Sequence, residues 1–117
     1  MKELSFTDRV KNEIKKHNIE DEKIDIKAID RVKARKILRK KFVAIGEVND
    51  PSKDTHLEFL AKNAKEANEI ISYLDYIDIS AKLSMKKKYV SVYIKDQSNI
   101  IRLLDMLGAK KLSIEYD

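Results

Sequence analysis

Apolar residues near the N-terminus recur every four positions, which is the spacing of one helix face. The pattern predicts a first helix over residues 5–16, with either Ser5 or Thr7 as its N-cap. Residues 18–25 are polar and acidic, a composition typical of a linker. The apolar positions of this first helix are Phe6, Val10 and Ile14.

A longer amphipathic pattern begins at Asp30, which we predict to cap a second helix that runs to about residue 44. Gly46 follows as its C-terminal stop. The apolar positions of this helix follow i, i+3, i+4 spacing and are Ala34, Ile37, Leu38, Phe42 and Ile45.

Strand and helix patterns then alternate to the end of the chain. Asn63 and Asp96 are predicted helix caps, and Gly108 lies just past the end of the last helix. Period-two alternation predicts strands, and i, i+3, i+4 spacing predicts helices. The predicted strands are 47–49, 56–61, 79–86 and 89–95, and the predicted helices are 64–74 and 96–107.

The predicted order is helix, helix, strand, strand, helix, strand, strand, helix. Paired strands that alternate with helices indicate an α+β fold, with a four-stranded antiparallel sheet and helices on one face. We divide the chain into an N-terminal helix with linker, residues 1–29, and an α+β domain, residues 30–117. A chain of 117 residues can bury one hydrophobic core of its own.

Composition excludes several classes of site and of location. The chain has no cysteine, so disulfides, thiolate metal sites and thiol nucleophiles are excluded. No uncharged run approaches the length of a membrane span, and the N-terminus lacks the apolar stretch of a signal peptide. We therefore expect a soluble, cytoplasmic protein with no membrane partner.

Positive charge is clustered along the chain. The chain carries 25 Lys and Arg against 20 Asp and Glu, a net charge of +5. Seven basic residues and no acid lie between Arg31 and Lys41, and residues 86–88 are three consecutive lysines. Clusters of this kind are typical of proteins that bind polyanions, although a solvated helix face and a charged hairpin tip explain them equally well.

The last two predicted strands would form a hairpin with two different faces. Period-two alternation assigns Ile79, Ala81, Leu83 and Met85 to the core face of the first strand. Met85 and Met106 are interpreted as core residues. Lysines, serines and tyrosines fall on the opposite face, where they could contact phosphates, sugars and bases, or could simply be solvated.

A resemblance to a known family runs through most of the chain. Residues 38–51, LRKKFVAIGEVNDP, resemble the degenerate LAGLIDADG helix and following turn of the WhiA sporulation-regulator family. Residues 4–14 are similar to the opening of the same family. The likeness continues through residues 56–59, 63–67, 89–95 and 103–109.

This resemblance implies a fold shared with homing endonucleases, in which a saddle-shaped sheet lies on DNA. Family members are transcription regulators of Gram-positive bacteria, linked to sporulation and cell division. A full-length member carries two LAGLIDADG-type repeats and a helix-turn-helix domain. We expect a single repeat here and no helix-turn-helix domain, in a fragment or a shortened relative. A second copy or repeat could pack on the helix over residues 30–45, although Lys40 and Lys41 would be costly to bury there.

The same resemblance implies that the nuclease site is inactive. In active LAGLIDADG nucleases the last acid of the motif binds the metal, and that position is Ile45 here, while the earlier acid of the motif falls on Val43. Neither side chain offers the oxygen ligands that Mg²⁺ needs. Glu47 is displaced past the glycine. We therefore expect no catalytic residue, metal or cofactor.

Double-stranded DNA is thus the expected partner, and two alternatives remain. One is a protein-interaction module with the same fold, which would bind an acidic partner through its helix faces or the stripe from Arg31 to Lys41. The other is a metal-dependent nuclease that would use Glu47, Asp50 and Asp54. His56 stands alone and is interpreted as structural. The candidate DNA-binding residues are Lys82, Lys86, Tyr89, Tyr93 and Lys95 on the hairpin, with Arg35, Arg39 and Lys40 on the helix as a second set.

Overall fold

The computed structural model describes residues 4–16 and 29–116, and these ranges contain five helices and four strands. The predicted linker over residues 18–25 lies outside them. The elements in chain order are α1 (Phe6–Lys16), α2 (Ile29–Ile45), β1 (Gly46–Val48), β2 (Leu57–Ala61), α3 (Ala64–Tyr76), β3 (Lys82–Met85), β4 (Val90–Ile94), α4 (Gln97–Leu107) and α5 (Lys110–Glu115).

The four strands form one antiparallel sheet in the order β1-β2-β4-β3. Helix α2 packs on β1 and β2, and α3 packs on β2 and β4, so the helices cover one face. The predicted α+β class with a four-stranded antiparallel sheet is confirmed. The central strands supply the sheet side of the core with Leu57, Phe59, Ala61, Val90, Val92 and Ile94.

Helix ends follow the predicted chemistry at four positions. Ser5 accepts a hydrogen bond from the N–H of Asp8 (3.1 Å), so Ser5 rather than Thr7 caps α1. Asn63 caps α3 and Asp96 caps α4, while Gly108 ends α4 in the left-handed conformation with φ of 102°. α2 begins at Ile29, so Asp30 lies inside the helix and the prediction that it is the cap is wrong.

Gly46 joins α2 directly to β1, and it is needed for space. A Cβ built on Gly46 would lie 2.2 Å from Cδ1 of Phe42, one turn earlier in α2. The Phe42 ring is fully buried and meets Phe59 of β2 edge-to-face, with ring centres 5.7 Å apart. Because Gly46 has no side chain, the Phe42 ring of the last helical turn can pack directly against the start of β1.

Helix α1 belongs to the same core and protects the edge of β1. Phe6, Val10 and Ile14 are buried in the cluster that the other helices share. The Thr7 hydroxyl donates to the carbonyl of Val48 and accepts from its N–H, both at 2.9 Å. A side chain thus satisfies backbone groups that would otherwise stand open at the sheet edge.

Helix α5 was not predicted, and its N-terminus is capped by a residue from the other end of the chain. Ala109 precedes the helix and provides no side-chain cap. Instead, the buried Glu13 of α1 accepts hydrogen bonds from the N–H groups of Lys111 (2.7 Å) and Leu112 (3.3 Å). A carboxylate at a helix N-terminus satisfies free donors and complements the helix dipole.

The prediction that Leu83 and Met85 belong to the core is wrong. They lie opposite Val92 and Val90 on the helix-covered side, yet they are 43% and 73% exposed. β3 is an edge strand, and α3 lies over β2 and β4 instead, so the end of the helix layer leaves these side chains in solvent. Met106, by contrast, is partly buried against the core.

Replacing Gly46 with alanine should destabilise the fold. The new methyl group would overlap the Phe42 ring, and overpacking of this kind costs about 1–3 kcal/mol of unfolding free energy. Urea unfolding followed by circular dichroism would measure the loss. In a double variant that also carries Phe42→Leu, the alanine should cost less unfolding free energy than it does alone. If the losses of the two single variants simply add in the double variant, the contact between position 46 and the Phe42 ring is contradicted.

Replacing Glu13 with alanine should lower the unfolding free energy by about 1 kcal/mol, the usual value of a helix cap. The reason is that two N–H groups of α5 lose their acceptor. Asn12→Ala is the matched control, since Asn12 is an exposed neighbour on the same helix. Equal urea midpoints for the two variants would show that Glu13 is not a cap.

Candidate nucleic-acid interface

The outer face of the sheet, defined here as the side away from the helices, carries a row of charged and aromatic residues. Strand register places Lys82 of β3 opposite Tyr93 of β4, Tyr93 opposite Glu58 of β2, and Glu58 opposite Glu47 of β1. Charge therefore changes sign across the face. The β3–β4 side is basic, and the β1–β2 side is acidic.

Five of the eight predicted DNA-binding residues come together on the β3–β4 half of the outer face. Lys82 and Tyr93 are cross-strand partners, and the N–H of Lys86 donates to the carbonyl of Tyr89 (2.9 Å) where the hairpin turns. Lys95 directly follows β4. The three lysines are exposed and the two tyrosines are half-buried.

A shallow concavity of about 310 Å³ lies where this half meets β2, and we call it the cup. Ser91, which is only 2% exposed, and Glu58 are its most buried lining residues, so they form its floor. Exposed lysines and half-buried rings form its rim. The full lining is His56, Glu58, Ser84, Lys86, Tyr89, Ser91, Tyr93 and Lys95.

Two neighbours hold the Glu58 carboxylate on the floor of the cup. His56 Nε2 lies 2.7 Å from one carboxylate oxygen, and the Ser91 hydroxyl donates to the other at 3.4 Å. Because an ionised carboxylate only accepts hydrogen bonds, Nε2 is the donor of the first pair. The His56 ring stacks on Tyr93 at 5.8 Å with an interplanar angle of 18°, and Lys95 Nζ lies 5.9 Å from the Tyr93 ring centre.

The backbone beneath this cluster is anchored by the C-terminal end of the chain. The N–H of His56 donates to the phenolic oxygen of Tyr116 (3.2 Å), and burial raises the pKa of that phenol above its ordinary value. Gln97 donates to the Tyr116 carbonyl at 2.6 Å. The start of β2 is thus tied to α4 and to the residue after α5.

His56 and Glu58 were not among the predicted site residues. A signal was present, because two residues at spacing two in a strand share a face. The strand register decides their partner, however, since only the pairing of β2 with β4 brings Tyr93 and Ser91 beside them. His56 and Glu58, which have no evident partner in the sequence, therefore belong to a connected group of side chains in the fold.

The second predicted set lies elsewhere. Arg35, Arg39 and Lys40 belong to α2, in the helix layer on the opposite side of the sheet from the hairpin residues. Arg35 and Arg39 are half-buried, whereas Lys40 is exposed. One flat ligand surface cannot contact this set and the outer face together.

Part of the basic stripe on α2 has structural roles. Arg31 forms an ion pair with Asp78 and donates to the carbonyl of Tyr76 (3.0 Å), at the end of α3. Lys41 Nζ lies 2.6 Å from a carboxylate oxygen of Glu66. The hydrogen bond from Lys41, with help from the N–H of Lys62, holds the pKa of Glu66 below its usual range.

The positions that the resemblance assigns to the acids of the LAGLIDADG motif are apolar. Val43 and Ile45 are partly buried and pack against the core. Asp50 accepts hydrogen bonds from the N–H (2.9 Å) and hydroxyl (2.8 Å) of Ser52, which hold its pKa below the ordinary value. Within residues 4–16 and 29–116, no three acidic, histidine or cysteine side chains are arranged to hold a metal ion.

No helix in the described ranges is long and apolar enough to cross a membrane.

Residues 34–117 match the family model described as WhiA LAGLIDADG-like domain. The relatives include proteins named "Probable cell division protein WhiA". The one from Desulfitobacterium hafniense (strain Y51) is 32% identical over 80 residues, which cover 68% of this chain and 25% of that protein. The one from Natranaerobius thermophilus is 34% identical over 84 residues, 71% of this chain and 26% of that protein.

A solved structure supports the same assignment at the level of the fold. The crystal structure of the N-terminal LAGLIDADG domain of DUF199/WhiA superposes with a TM-score of 0.62 at 24% identity. The match covers 68% of this chain and 43% of that one. Against the curated relatives, the chain aligns with about a quarter of their length. The family-model match spans well over half of the chain, and the chain therefore belongs to the WhiA LAGLIDADG-like domain family.

Proposed function

We propose that the chain holds double-stranded DNA on the outer face of its sheet, as a domain of a WhiA-like bacterial transcription regulator in sporulation and cell division. One observation carries the proposal. Three exposed lysines and two half-buried tyrosines share one side of the β3–β4 hairpin, and the helices occupy the opposite side of the sheet. The name of the relatives, cell division protein WhiA, agrees with such a role. A DNA-binding role places the chain in the cytoplasm.

The charge distribution determines where the duplex would lie. Lys82, Lys86 and Lys95 supply positive charge for phosphates, which is the main source of affinity for DNA. Glu47 and Glu58 on the other half of the face would repel the same phosphates. The duplex is therefore expected to follow the hairpin and not the middle of the sheet.

The proposal includes binding without cleavage. The motif position that would ligate a metal is Ile45, and the earlier acid of the motif is replaced by Val43, so both carry hydrocarbon side chains. Asp50, the nearest carboxylate of the following loop, is engaged with Ser52. The relatives' names describe a cell division protein and not a nuclease.

Pairing with a second copy or a second LAGLIDADG-type repeat through α2 is part of the proposal. Such pairing would extend the outer face along the duplex. It would have to accommodate Lys40, which is exposed on α2, whereas Lys41 is already matched by Glu66.

Charge reversal of two hairpin lysines should weaken DNA binding. For Lys82→Glu with Lys86→Glu, we expect weaker binding to a labelled duplex, because each lost phosphate contact removes counterion release. The slope of log affinity against log salt should fall by about two. Fluorescence anisotropy between about 50 and 200 mM salt measures both quantities.

The matched control is Lys33→Glu with Lys36→Glu, two exposed lysines of α2. This variant makes the same change in net charge on the helix side of the molecule. An equal loss of affinity in both variants would contradict the outer face as the binding surface, and retained binding in the hairpin variant would show that this face is merely solvated.

Mg²⁺ should leave the bound DNA intact. Incubation of the chain with supercoiled plasmid and Mg²⁺, followed by gel electrophoresis, should show no nicked or linear product, since the motif acids are replaced by Val43 and Ile45. Magnesium-dependent cleavage that Glu47→Gln abolishes would overturn the non-catalytic assignment and favour the metal-dependent nuclease.

A second candidate function is binding of an acidic protein. Leu83 and Met85 are exposed on the edge strand β3, and the lysine-rich turn follows at once. Exposed apolar residues on a strand edge are typical of interaction sites. Binding to a protein that persists at a salt concentration sufficient to abolish DNA binding would favour this candidate.

A further inference from the structure

We infer that the cup binds one unpaired nucleobase that carries an exocyclic amine, such as cytosine. Glu58 would accept from the amine, the surrounding rings would contact the base, and the rim lysines would contact its phosphates. This inference rests on the proposed function, because it assigns a specific role to the same face. It adds a ligand class, an unpaired base, that duplex binding does not require.

The shape of the cup favours a base that has left the duplex. Glu58 is only 16% exposed and Ser91 only 2%, so the floor lies below a rim of lysines and tyrosines. The base edges of an intact duplex are fixed in a stack, whereas an unpaired base is free to turn its Watson–Crick edge toward Glu58. A volume of about 310 Å³ is at the small end of ligand sites, which suits a single base with its sugar.

The residue types on the rim are those that bind single-stranded nucleic acid. Tyr89, Tyr93 and His56 provide aromatic surface in a small area, and Lys86 and Lys95 stand beside them. Aromatic stacking together with lysine contacts to the backbone is the usual basis of single-strand binding. Sheets that present aromatic residues on their open face bind unpaired bases in this way.

The floor supplies the preference for an amine. Glu58 is held in place by His56 and Ser91, and each hydrogen bond uses only part of the acceptor capacity of one carboxylate oxygen. Cytosine presents an N4 amine that can donate to this carboxylate, whereas thymine presents the O4 acceptor at the same position. A fixed acceptor therefore attracts the first base and repels the second.

Charge alone predicts a different result. If Glu58 were only a structural partner of His56, its negative charge would weaken binding to every strand by the same factor. The ratio of affinities for a cytosine strand and a thymine strand therefore separates the two explanations. Both strands are pyrimidine, and both carry the same charge.

The experiment compares labelled oligo(dC) and oligo(dT), each about 12 nucleotides long, by fluorescence anisotropy with the full chain. We expect oligo(dC) to bind about tenfold more tightly, the effect of one hydrogen bond to a charged group. Equal affinity for the two strands would overturn the inference.

Two variants locate the preference. Glu58→Gln should bring the two affinities within about twofold, because the amide can accept from cytosine or donate to thymine equally well. Glu47→Gln is the matched control, since it removes the same charge from the neighbouring position of the outer face, outside the cup. It should raise both affinities together and leave their ratio unchanged. A preference for oligo(dC) that survives Glu58→Gln would overturn the role of Glu58.

Duplex binding measured beside these strands keeps the two proposals separable. Salt-sensitive duplex binding with equal affinity for both strands would leave the proposed function intact and contradict the binding of a base in the cup. A preference for oligo(dC) with no duplex binding would support the cup and contradict the duplex-binding function. Circular dichroism of each variant confirms that the fold is retained, so that a lost preference reports on Glu58 and not on unfolding.

Discussion

The direct passage from α2 into β1 is the constraint on which the rest of the structure depends. At Gly46 the helix ends and the strand begins with no loop between them, and the missing side chain leaves room for the Phe42 ring. That ring packs edge-to-face on Phe59 of β2. Helix α2 is thereby placed across the sheet on one side only. No helix in the described part of the chain covers the opposite side, and this is the face on which we propose that the ligand binds.

The two faces of the sheet consequently use charge in different ways. In the helix layer, Arg31 and Lys41 meet acids of the same chain at Asp78 and Glu66, so part of the basic stripe stabilises the packing of α2 on α3. On the hairpin, the lysines are exposed and arranged around aromatic residues. Positive charge that looks equivalent in the sequence is therefore divided between a structural role in the helix layer and the proposed ligand-binding role on the hairpin.

The N-terminal helix is integrated into this arrangement at both ends of the domain. Thr7 satisfies the backbone of Val48 at one edge of the sheet. Six residues later, Glu13 caps a helix close to the C-terminus. α5 in turn leads to Tyr116, which anchors the start of β2 beneath the cup. The site is thus supported by the two most distant parts of the described chain.

Local chemistry determined most of the secondary structure from the sequence alone, with α5 as the exception. Apolar spacing located four helices and four strands, and the caps Asn63 and Asp96 and the terminator Gly108 acted where they were predicted, because caps and glycine stops depend on neighbours within one turn. The hairpin face with Lys82, Lys86, Tyr89, Tyr93 and Lys95 followed from period-two alternation. Tertiary structure decided what depends on distant partners: the exposure of Leu83 and Met85, the capping of α5 by Glu13, and the contacts among His56, Glu58 and Ser91. Strand order and helix placement fix these features, and no local pattern encodes which strand lies at the edge or which carboxylate reaches a helix end.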